Sequence, residues 1–343
     1  MGSRAKRRFF VYAVLVLLSI AGSAFYGSAA QTATPQSERF TPSVSGTQTL
    51  VIEPQDGTQS IVRMVQSASS SVDIVMYEFE DIQLEQLLAQ RAKAGIAVRV
   101  ILDNGYFGAG SSANQSAFDY FQTNGVQVHW SSASFALTHE KSLVIDGTQA
   151  FVMTFNLTPK YYKGDRDFGV IDTDQNDVTA MEQTFNADWS GQRIPSQNGD
   201  HLVWSPNSRD QLLSLIQNAT SSLEVYNEEM QDPQIITALE GAAKRGVNVE
   251  IDMTYSKQWR QAFDDLSQSG AHIRTYKASA PLYIHAKVII ADAAEAFVGS
   301  ENFSSSSLDQ NRELGLMIAD PEIVSRLTEV FQGDWQGATP FAL

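Results

Sequence analysis

The chain has 343 residues, of which 43% are hydrophobic. It is therefore long enough for one large or two ordinary globular domains and too apolar for a disordered chain. It contains no cysteine, which excludes disulfides, thiolate metal sites and cysteine nucleophiles. Its formal charge of −15 opposes indiscriminate binding to nucleic acid, but a locally basic pocket stays compatible with it.

The first thirty residues have the layout of an export signal. Four basic side chains within residues 4–8 precede an apolar run from Phe9 to Ala21, and small residues lead to Ala30. This pattern predicts a signal peptide over residues 1–30, either cleaved or kept as an N-terminal anchor. We therefore expect an exported protein, periplasmic or extracellular. Residues 31–46 are rich in Thr, Ser, Pro and Gln and predict a linker.

From Thr47 onwards the chain consists of two copies of one unit. The predicted strand Val72–Tyr77 corresponds to Leu223–Asn227. The helix that follows each strand is predicted to end before a glycine, Gly95 in the first copy and Gly246 in the second. A repeat on this scale indicates a duplicated supersecondary unit.

The alternation of strands and helices predicts an α/β fold in both copies. We place the domains at 47–199 and 200–343, with an insertion in the first copy within residues 104–116. Strands that alternate with helices form mostly parallel, buried sheets covered by helices. We expect one active site shared by the two domains, because the repeated polar residues described next supply a single histidine per copy.

The repeated polar residues form a His-x-Lys-x4-Asp pattern that is complete in both copies. The two sets are His139, Lys141 and Asp146, and His285, Lys287 and Asp292. Each set includes a run of apolar residues typical of a buried strand, so alternation places the histidine and the lysine on one side of it. The aspartate then lies on the opposite side, and we interpret both aspartates as structural.

This pattern resembles the signature of the phospholipase D superfamily. The resemblance continues in Thr154-x-Asn156 and Ser300-x-Asn302, and in the carboxylates Asp167 and Glu313. It implies two tandem phospholipase D-like α/β units, with mixed or parallel sheets flanked by helices, that form a pseudo-two-fold pair with one shared active site. Two departures are Met153-Thr154 where the second copy has Gly299-Ser300, and Asp167 where the family more often has Glu.

The resemblance also implies a division of roles in metal-independent phosphodiester chemistry. His139 attacks phosphorus to give a phosphohistidine, and His285 protonates the leaving alcohol and then activates water or an acceptor alcohol. Asp167 and Glu313 orient the two imidazole rings. The expected phosphate ligands are Lys141, Lys287, Asn156, Asn302, Thr154 and Ser300. No metal-ligand spacing is present, so we expect neither metal nor cofactor.

The sequence leaves the substrate open. The leading hypothesis is phospholipase D-type hydrolysis, or alcohol exchange, of phospholipid headgroup esters at a membrane surface by a monomer with an internal pseudo-dimer. A periplasmic nuclease ranks lower because the acidic chain opposes a polyanion. A cardiolipin-synthase-like transferase normally needs membrane helices. The non-enzyme alternatives are a binding module with an idle site and a duplicated structural fold that retains its polar residues.

A few other residues attract attention. His129, His201 and His272 match no motif, and we expect them at the surface or in the core. The glycine-rich stretch 105–110 lacks the Lys-Ser or Lys-Thr of a phosphate loop and is interpreted as an ordinary loop. Glu78 and Glu229 match one another just after a predicted strand, where α/β sheets present ligand residues, and are candidates for the rim of the site.

Overall fold

The computed structural model describes residues 46–104, 114–192 and 195–342, which belong to one compact unit. The predicted export signal, almost all of the linker and the glycine-rich stretch 105–110 lie outside the described residues. Among the described residues, none of the helices combines the length and the apolar character needed to cross a membrane.

The first half alternates strands and helices and then closes with three consecutive strands and a long helix. Its elements are β1 (Gln48–Glu53), α1 (Gln59–Ser67), β2 (Ser71–Met76), α2 (Ile82–Lys93), β3 (Ala97–Leu102), α3 (Gln115–Thr123), β4 (Gln127–Trp130), β5 (Lys141–Ile145), β6 (Gln149–Met153), β7 (Asp165–Asp172) and α4 (Gln175–Trp189).

The second half repeats this order with short additions, which include a strand before its motif, a helix before the strand that carries Glu313, and a strand at the end. Its elements are β8 (Leu202–Ser205), α5 (Arg209–Asn218), β9 (Ser222–Tyr226), α6 (Pro233–Lys244), β10 (Asn248–Thr254), α7 (Arg260–Gln268), β11 (His272–Tyr276), β12 (Tyr283–Ile284), β13 (Val288–Ala291), β14 (Glu295–Gly299), α8 (Ser305–Asp309), β15 (Glu313–Ile318), α9 (Pro321–Gly337) and β16 (Thr339–Pro340).

Each half is built on a mixed sheet, which confirms the predicted pair of α/β units and corrects the expectation of mainly parallel strands. The first sheet has the order β1-β7-β6-β5-β2-β3-β4 and the second β16-β11-β10-β9-β13-β14-β15-β8. Within these two orders, β2-β3-β4 and β9-β10-β11 run parallel and the other neighbours run antiparallel. The short strand β12 also pairs in parallel with β7. Short turns join the antiparallel neighbours β5 to β6 and β13 to β14. Positive φ angles at Asp146 (55°) and Asp292 (55°) form these turns.

Local sequence signals account for the helix ends. The side chains of Asp81, Asp174, Asp232 and Asp320 accept hydrogen bonds from backbone amides in the first turns of α2, α4, α6 and α9. After α2 and α6, Gly95 and Gly246 adopt φ angles of 94° and 91°, which only glycine adopts without strain. The predicted glycine helix stops are therefore present in both halves.

The two halves pack against each other through an apolar core flanked by two ion pairs. Val152 and Phe168 from the first half and Val298 and Leu314 from the second belong to one buried cluster. Burial of this surface is the main force that holds the sheets together.

Two ion pairs join the halves, one with its arginine in the first half and the other with its arginine in the second half. Arg166 binds Asp334 on α9 with Nε to Oδ2 at 2.6 Å and Nη2 to Oδ1 at 2.9 Å. Arg312 binds Asp188 on α4 with Nη2 to Oδ1 at 3.0 Å. Each arginine immediately precedes a candidate site carboxylate, so the same strand segments hold the halves together and position the site.

We expect Arg166→Met to lower the free energy of unfolding by about 3–5 kcal/mol, because it leaves the buried Asp334 carboxylate without its cation. Urea denaturation followed by circular dichroism measures the change. Arg326→Met, which removes an exposed ion pair with Glu329, is the control and should cost less than about 1 kcal/mol. Equal losses in the two variants would contradict this account of the boundary.

Candidate active site between the two halves

Backbone hydrogen bonds join each motif histidine to the opposite half. The His139 amide donates to the Arg312 carbonyl at 2.9 Å, and the His285 amide donates to the Arg166 carbonyl at 3.2 Å. Strand β12, which precedes His285, also pairs in parallel with β7 of the first half. Both histidines lie just before the strands β5 and β13 rather than inside them. The two motifs therefore meet at the boundary between the halves.

The histidines and the two site carboxylates form crossed pairs. His139 Nδ1 lies 2.7 Å from Glu313 Oε2, and His285 Nδ1 lies 2.9 and 3.1 Å from the two carboxylate oxygens of Asp167. Each carboxylate thus serves the histidine of the other half. The shorter side chain of Asp167 still reaches its histidine. A carboxylate on Nδ1 fixes the tautomer with the lone pair on Nε2, the nitrogen available for chemistry.

Both carboxylates are held by further hydrogen bonds. Glu313 Oε1 accepts from Ser307 Oγ at 2.6 Å and from Asn311 Nδ2 at 2.9 Å. Burial raises the pKa of Glu313, but the neighbouring His139 and Lys141 and the Ser307 hydrogen bond outweigh it and lower the pKa overall. Asp167 accepts from the Thr154 hydroxyl. The carboxylate beside His139 is therefore ionised and fixed in orientation.

His139 is buried in surroundings that keep its imidazole neutral. Burial lowers its pKa to about 4, against the opposing effect of Glu313 and with help from Lys141 and Lys287. The Tyr77 ring packs edge-on against it, with the ring centroids 4.5 Å apart. At neutral pH this histidine presents an unprotonated Nε2, as a nucleophile requires.

The two lysines are fully buried, and their ammonium groups donate to the backbone carbonyls of the motif histidines. Lys141 Nζ lies 2.6 Å from the His139 carbonyl oxygen, and Lys287 Nζ donates to the His285 carbonyl. Burial and the nearby charge of Lys287 together lower the pKa of Lys141 to about 7, against the opposing effect of Glu313. Two cations this close in a buried place are suited to an anionic ligand.

In the Thr154-x-Asn156 and Ser300-x-Asn302 elements, the asparagines and the hydroxyl residues differ in their contacts. Asn156 and Asn302 are buried, and the Oδ1 atom of each has no hydrogen-bond partner among the residues that the structure describes. The Thr154 hydroxyl instead donates to Asp167 and accepts from the Phe168 amide at 2.9 Å. The single hydrogen of the Thr154 hydroxyl is thus directed at Asp167, and phosphate binding by Thr154 stays a prediction.

Ser300, the counterpart of Thr154 in the second half, is fully buried. Its hydroxyl accepts from the Leu314 amide at 3.2 Å. The hydroxyl therefore contacts β15, the strand that carries Glu313, and phosphate binding by Ser300 stays a prediction.

The motif aspartates contact neither histidine nor lysine in the described hydrogen bonds. Asp146 accepts from the backbone amides of Ser69, Ser70 and Ser71 at 2.7–2.8 Å, and Asp292 makes the matching contacts before β9. Burial raises the pKa of each aspartate, but these amide hydrogen bonds outweigh it and hold the pKa well below its usual range. The geometry favours the structural role expected from strand alternation.

Sequence reasoning missed a carboxylate at the site, Glu228. Its Oε2 lies 3.5 Å from His285 Nε2 and 3.4 Å from Lys287 Nζ, and its Oε1 accepts from the Tyr283 hydroxyl at 3.1 Å. The repeat alignment places it opposite Tyr77, so a search for residues common to both copies selects its neighbour Glu229 instead. The position after β9 was the available signal.

His201 belongs to a buried cluster at the end of β7 remote from Asp167. Its Nδ1 lies 2.6 Å from Asp177 Oδ2, and possible ligand atoms of Asp172, Asp177 and His201 lie within 4.8 Å of one another. Hydrogen bonding to Asp177 raises the pKa of His201. The three side chains could offer ligands to a cation, a grouping that sequence spacing gave no reason to expect. His129 stacks on Trp189.

Comparison with known proteins agrees with this architecture. A family model described as "Cardiolipin synthase, PLD-like domain" matches residues 61–189 and 212–335. Cardiolipin synthase 2 of Bacillus anthracis is 23% identical over 338 residues, covering 84% of this chain and 64% of that protein. Cardiolipin synthase 2 of Bacillus cereus is 23% identical over 297 residues, covering 74% and 56%. The chain therefore spans 56–64% of the length of these two relatives.

A solved structure supports the fold of the whole described unit. Phosphatidylserine synthase of Haemophilus influenzae Rd KW20 superimposes with a TM-score of 0.68 at 13% identity, covering 86% of this chain and 87% of that one. At this identity the likeness extends to the fold alone, with two α/β units in one chain.

Proposed function

The chain belongs to the phospholipase D superfamily, in the family of cardiolipin synthase PLD-like domains, and on that premise we propose that it transfers a phosphatidyl group from a phospholipid diester to the hydroxyl of an acceptor alcohol. The crossed histidine–carboxylate pairs carry this proposal, because they make one two-histidine site from two half-sites. Two-step transfer needs a nucleophile and a separate acid–base group.

In the first step His139 attacks. Its Nε2 lone pair forms a bond to phosphorus while Glu313 accepts the hydrogen bond from Nδ1–H. The bond from phosphorus to the leaving alcohol breaks, and His285 gives that oxygen a proton. Lys141, Lys287 and the amides of Asn156 and Asn302 stabilise the non-bridging oxygens, whose charge is concentrated in the transition state.

In the second step the acceptor hydroxyl gives its proton to His285, attacks phosphorus and releases His139. Asp167 holds the His285 ring for both proton transfers. Water in place of the alcohol gives hydrolysis with the same groups, so the acceptor decides between the two outcomes. The names of the curated relatives support transfer, which the sequence analysis gave as alcohol exchange beside hydrolysis and as the cardiolipin-synthase-like alternative.

Incubating the full chain with phosphatidylglycerol vesicles tests the proposal. Transfer between two lipids yields cardiolipin and free glycerol, whereas hydrolysis yields phosphatidic acid, and mass spectrometry distinguishes them. Single-stranded DNA serves as the substrate of the nuclease alternative, and His139→Asn controls for contaminating activity. Turnover of DNA but of no lipid would overturn the proposal. We also propose that the enzyme is exported and works at the membrane surface.

We expect kcat/KM for a soluble phosphodiester to fall above about pH 7 in the wild type. The alkaline limb of this profile reports the free enzyme, in which Lys141 has a pKa of about 7 and loses its charge as the pH rises. In Lys141→Arg the guanidinium stays charged, so the alkaline limb should shift to higher pH even though kcat/KM is lower. A limb that stays near pH 7 in the arginine variant would assign it to another group.

A further inference from the structure

The Glu228 carboxylate lies where the proposed site is expected to bind the negatively charged phosphate of the substrate. Its Oε2 lies 3.5 Å from Nε2 of His285, the ring nitrogen opposite the one that faces Asp167, and 3.4 Å from Lys287 Nζ. These are the two groups expected to contact the substrate phosphate on this side. The carboxylate oxygen therefore stands where a phosphate oxygen would bind.

The contacts of Glu228 Oε2 with His285 and Lys287 are long. Distances of 3.4 and 3.5 Å exceed the roughly 2.7–2.9 Å of a charge-assisted hydrogen bond. The other oxygen, Oε1, is held by the Tyr283 hydroxyl at 3.1 Å. The Glu228 side chain is partly exposed, with 19% of its surface accessible. A ligand oxygen can thus replace Oε2 while Oε1 stays anchored.

The two halves differ at this position. Tyr77 takes the matching place beside His139, with Lys141 Nζ 5.0 Å from its ring centroid. An uncharged aromatic ring thus lies beside one histidine and a carboxylate beside the other. Burial and the nearby charges of Asp167 and Glu228 raise the pKa of Asp165 to about 7, against the opposing effects of His285 and Lys287, so this carboxyl is only partly charged at neutral pH.

We propose that Glu228 is a specificity-determining residue that competes with the ligand phosphate for His285 and Lys287 and thereby restricts the site to singly charged phosphodiesters. A diester with one negative charge displaces the carboxylate at modest cost. A phosphomonoester with two charges, or a polyanion, meets its repulsion in full. The inference rests on the proposed function, in that it takes this site to be the phosphodiester site.

Direct binding tests the inference without requiring turnover. Calorimetry on the full chain at pH 7 measures the Kd of inorganic phosphate and of dimethyl phosphate, which carries one charge. In Glu228→Gln we expect phosphate to bind at least about tenfold more tightly and dimethyl phosphate to change by less than about threefold. Glu228→Tyr, which copies the first half, should change phosphate affinity in the same direction.

Glu240→Gln is the charge control. It removes one carboxylate from α6, where that group accepts a hydrogen bond from Lys244. We expect its phosphate Kd to stay within about threefold of the wild type. An unchanged Kd in Glu228→Gln, an equal gain in Glu240→Gln, or no phosphate binding in any variant would overturn the inference. A gain specific to Glu228→Gln in a protein that turns over no lipid would uphold it and count against the proposed function alone.

Discussion

His139→Asn is expected to abolish the covalent phosphoenzyme and to lower the turnover of every phosphodiester by about 10³-fold or more. The imidazole is the proposed attacking group, and its neutral, buried state and the hydrogen bond of Nδ1 to Glu313 suit that role alone. Asparagine offers neither a lone pair of comparable basicity nor a stable phosphorylated form. The residual rate reports contributions from Lys141 and Lys287 without the nucleophile.

His285→Asn should behave differently although the sequence motifs are equivalent. With a nitrophenyl phosphodiester the leaving group needs little protonation, so the first step should proceed without the acid. The second step then lacks its base, and phosphate should accumulate on His139. Rapid denaturation and phosphate analysis should find an acid-labile, base-stable adduct in His285→Asn and none in His139→Asn. The reverse result would exchange the two roles, and no adduct in either variant would indicate direct attack by water.

The duplication and the residues of the candidate site could be proposed from the sequence because their signals are local in it. Gly95 and Gly246 end helices for a steric reason, and the apolar runs after Lys141 and Lys287 form buried strands wherever they lie in the fold. The resemblance then supplied the asparagines and the carboxylates. Neither step required knowledge of how the two copies pack.

The pairing between the copies was not predictable, because it depends on contacts distant in sequence. Asp167 is closer in sequence to His139 and Glu313 is closer to His285, yet the structure crosses them. The crossing follows from two sets of contacts between the halves. Strand β12 pairs with β7, and each histidine amide donates to the carbonyl of the arginine that precedes the carboxylate of the other half. No periodicity within one copy records this arrangement.

A search for residues repeated in both copies also misses a functional group that is present in only one of them. Glu301 lies in the second half, and Phe155 takes its place in the first. Its buried carboxyl fits because Gly299 has no side chain, since a Cβ there would lie 2.4 Å from Glu301 Oε2. The departure from Met153 to Gly299 between the copies thus serves local packing. Burial raises the pKa of Glu301 well above its usual value and thus favours the neutral carboxyl.

The crossed pairs make a second strong prediction, that Glu313→Gln in the second half reproduces the defect of His139→Asn in the first. Glu313 Oε1 accepts hydrogen bonds from Ser307 and Asn311, so the glutamine oxygen must remain there. The glutamine NH₂ group then faces His139 Nδ1 and imposes the tautomer with hydrogen on Nε2, which has no lone pair for attack. We expect phosphoenzyme formation to slow by about 10²–10⁴-fold.

Asp167→Asn, in the first half, should instead resemble His285→Asn. Its contacts are with His285 and Thr154, so a nitrophenyl diester should still phosphorylate His139 while release of the phosphate slows. Single-turnover kinetics with this substrate separate formation from release. Glu301→Gln is the control. It exchanges a buried carboxyl, whose neutral form is favoured by burial, for an amide of similar shape, and it should leave both steps within about threefold of the wild type. If Glu313→Gln slows release and Asp167→Asn slows formation, each carboxylate serves the histidine of its own half, and the crossed arrangement is wrong.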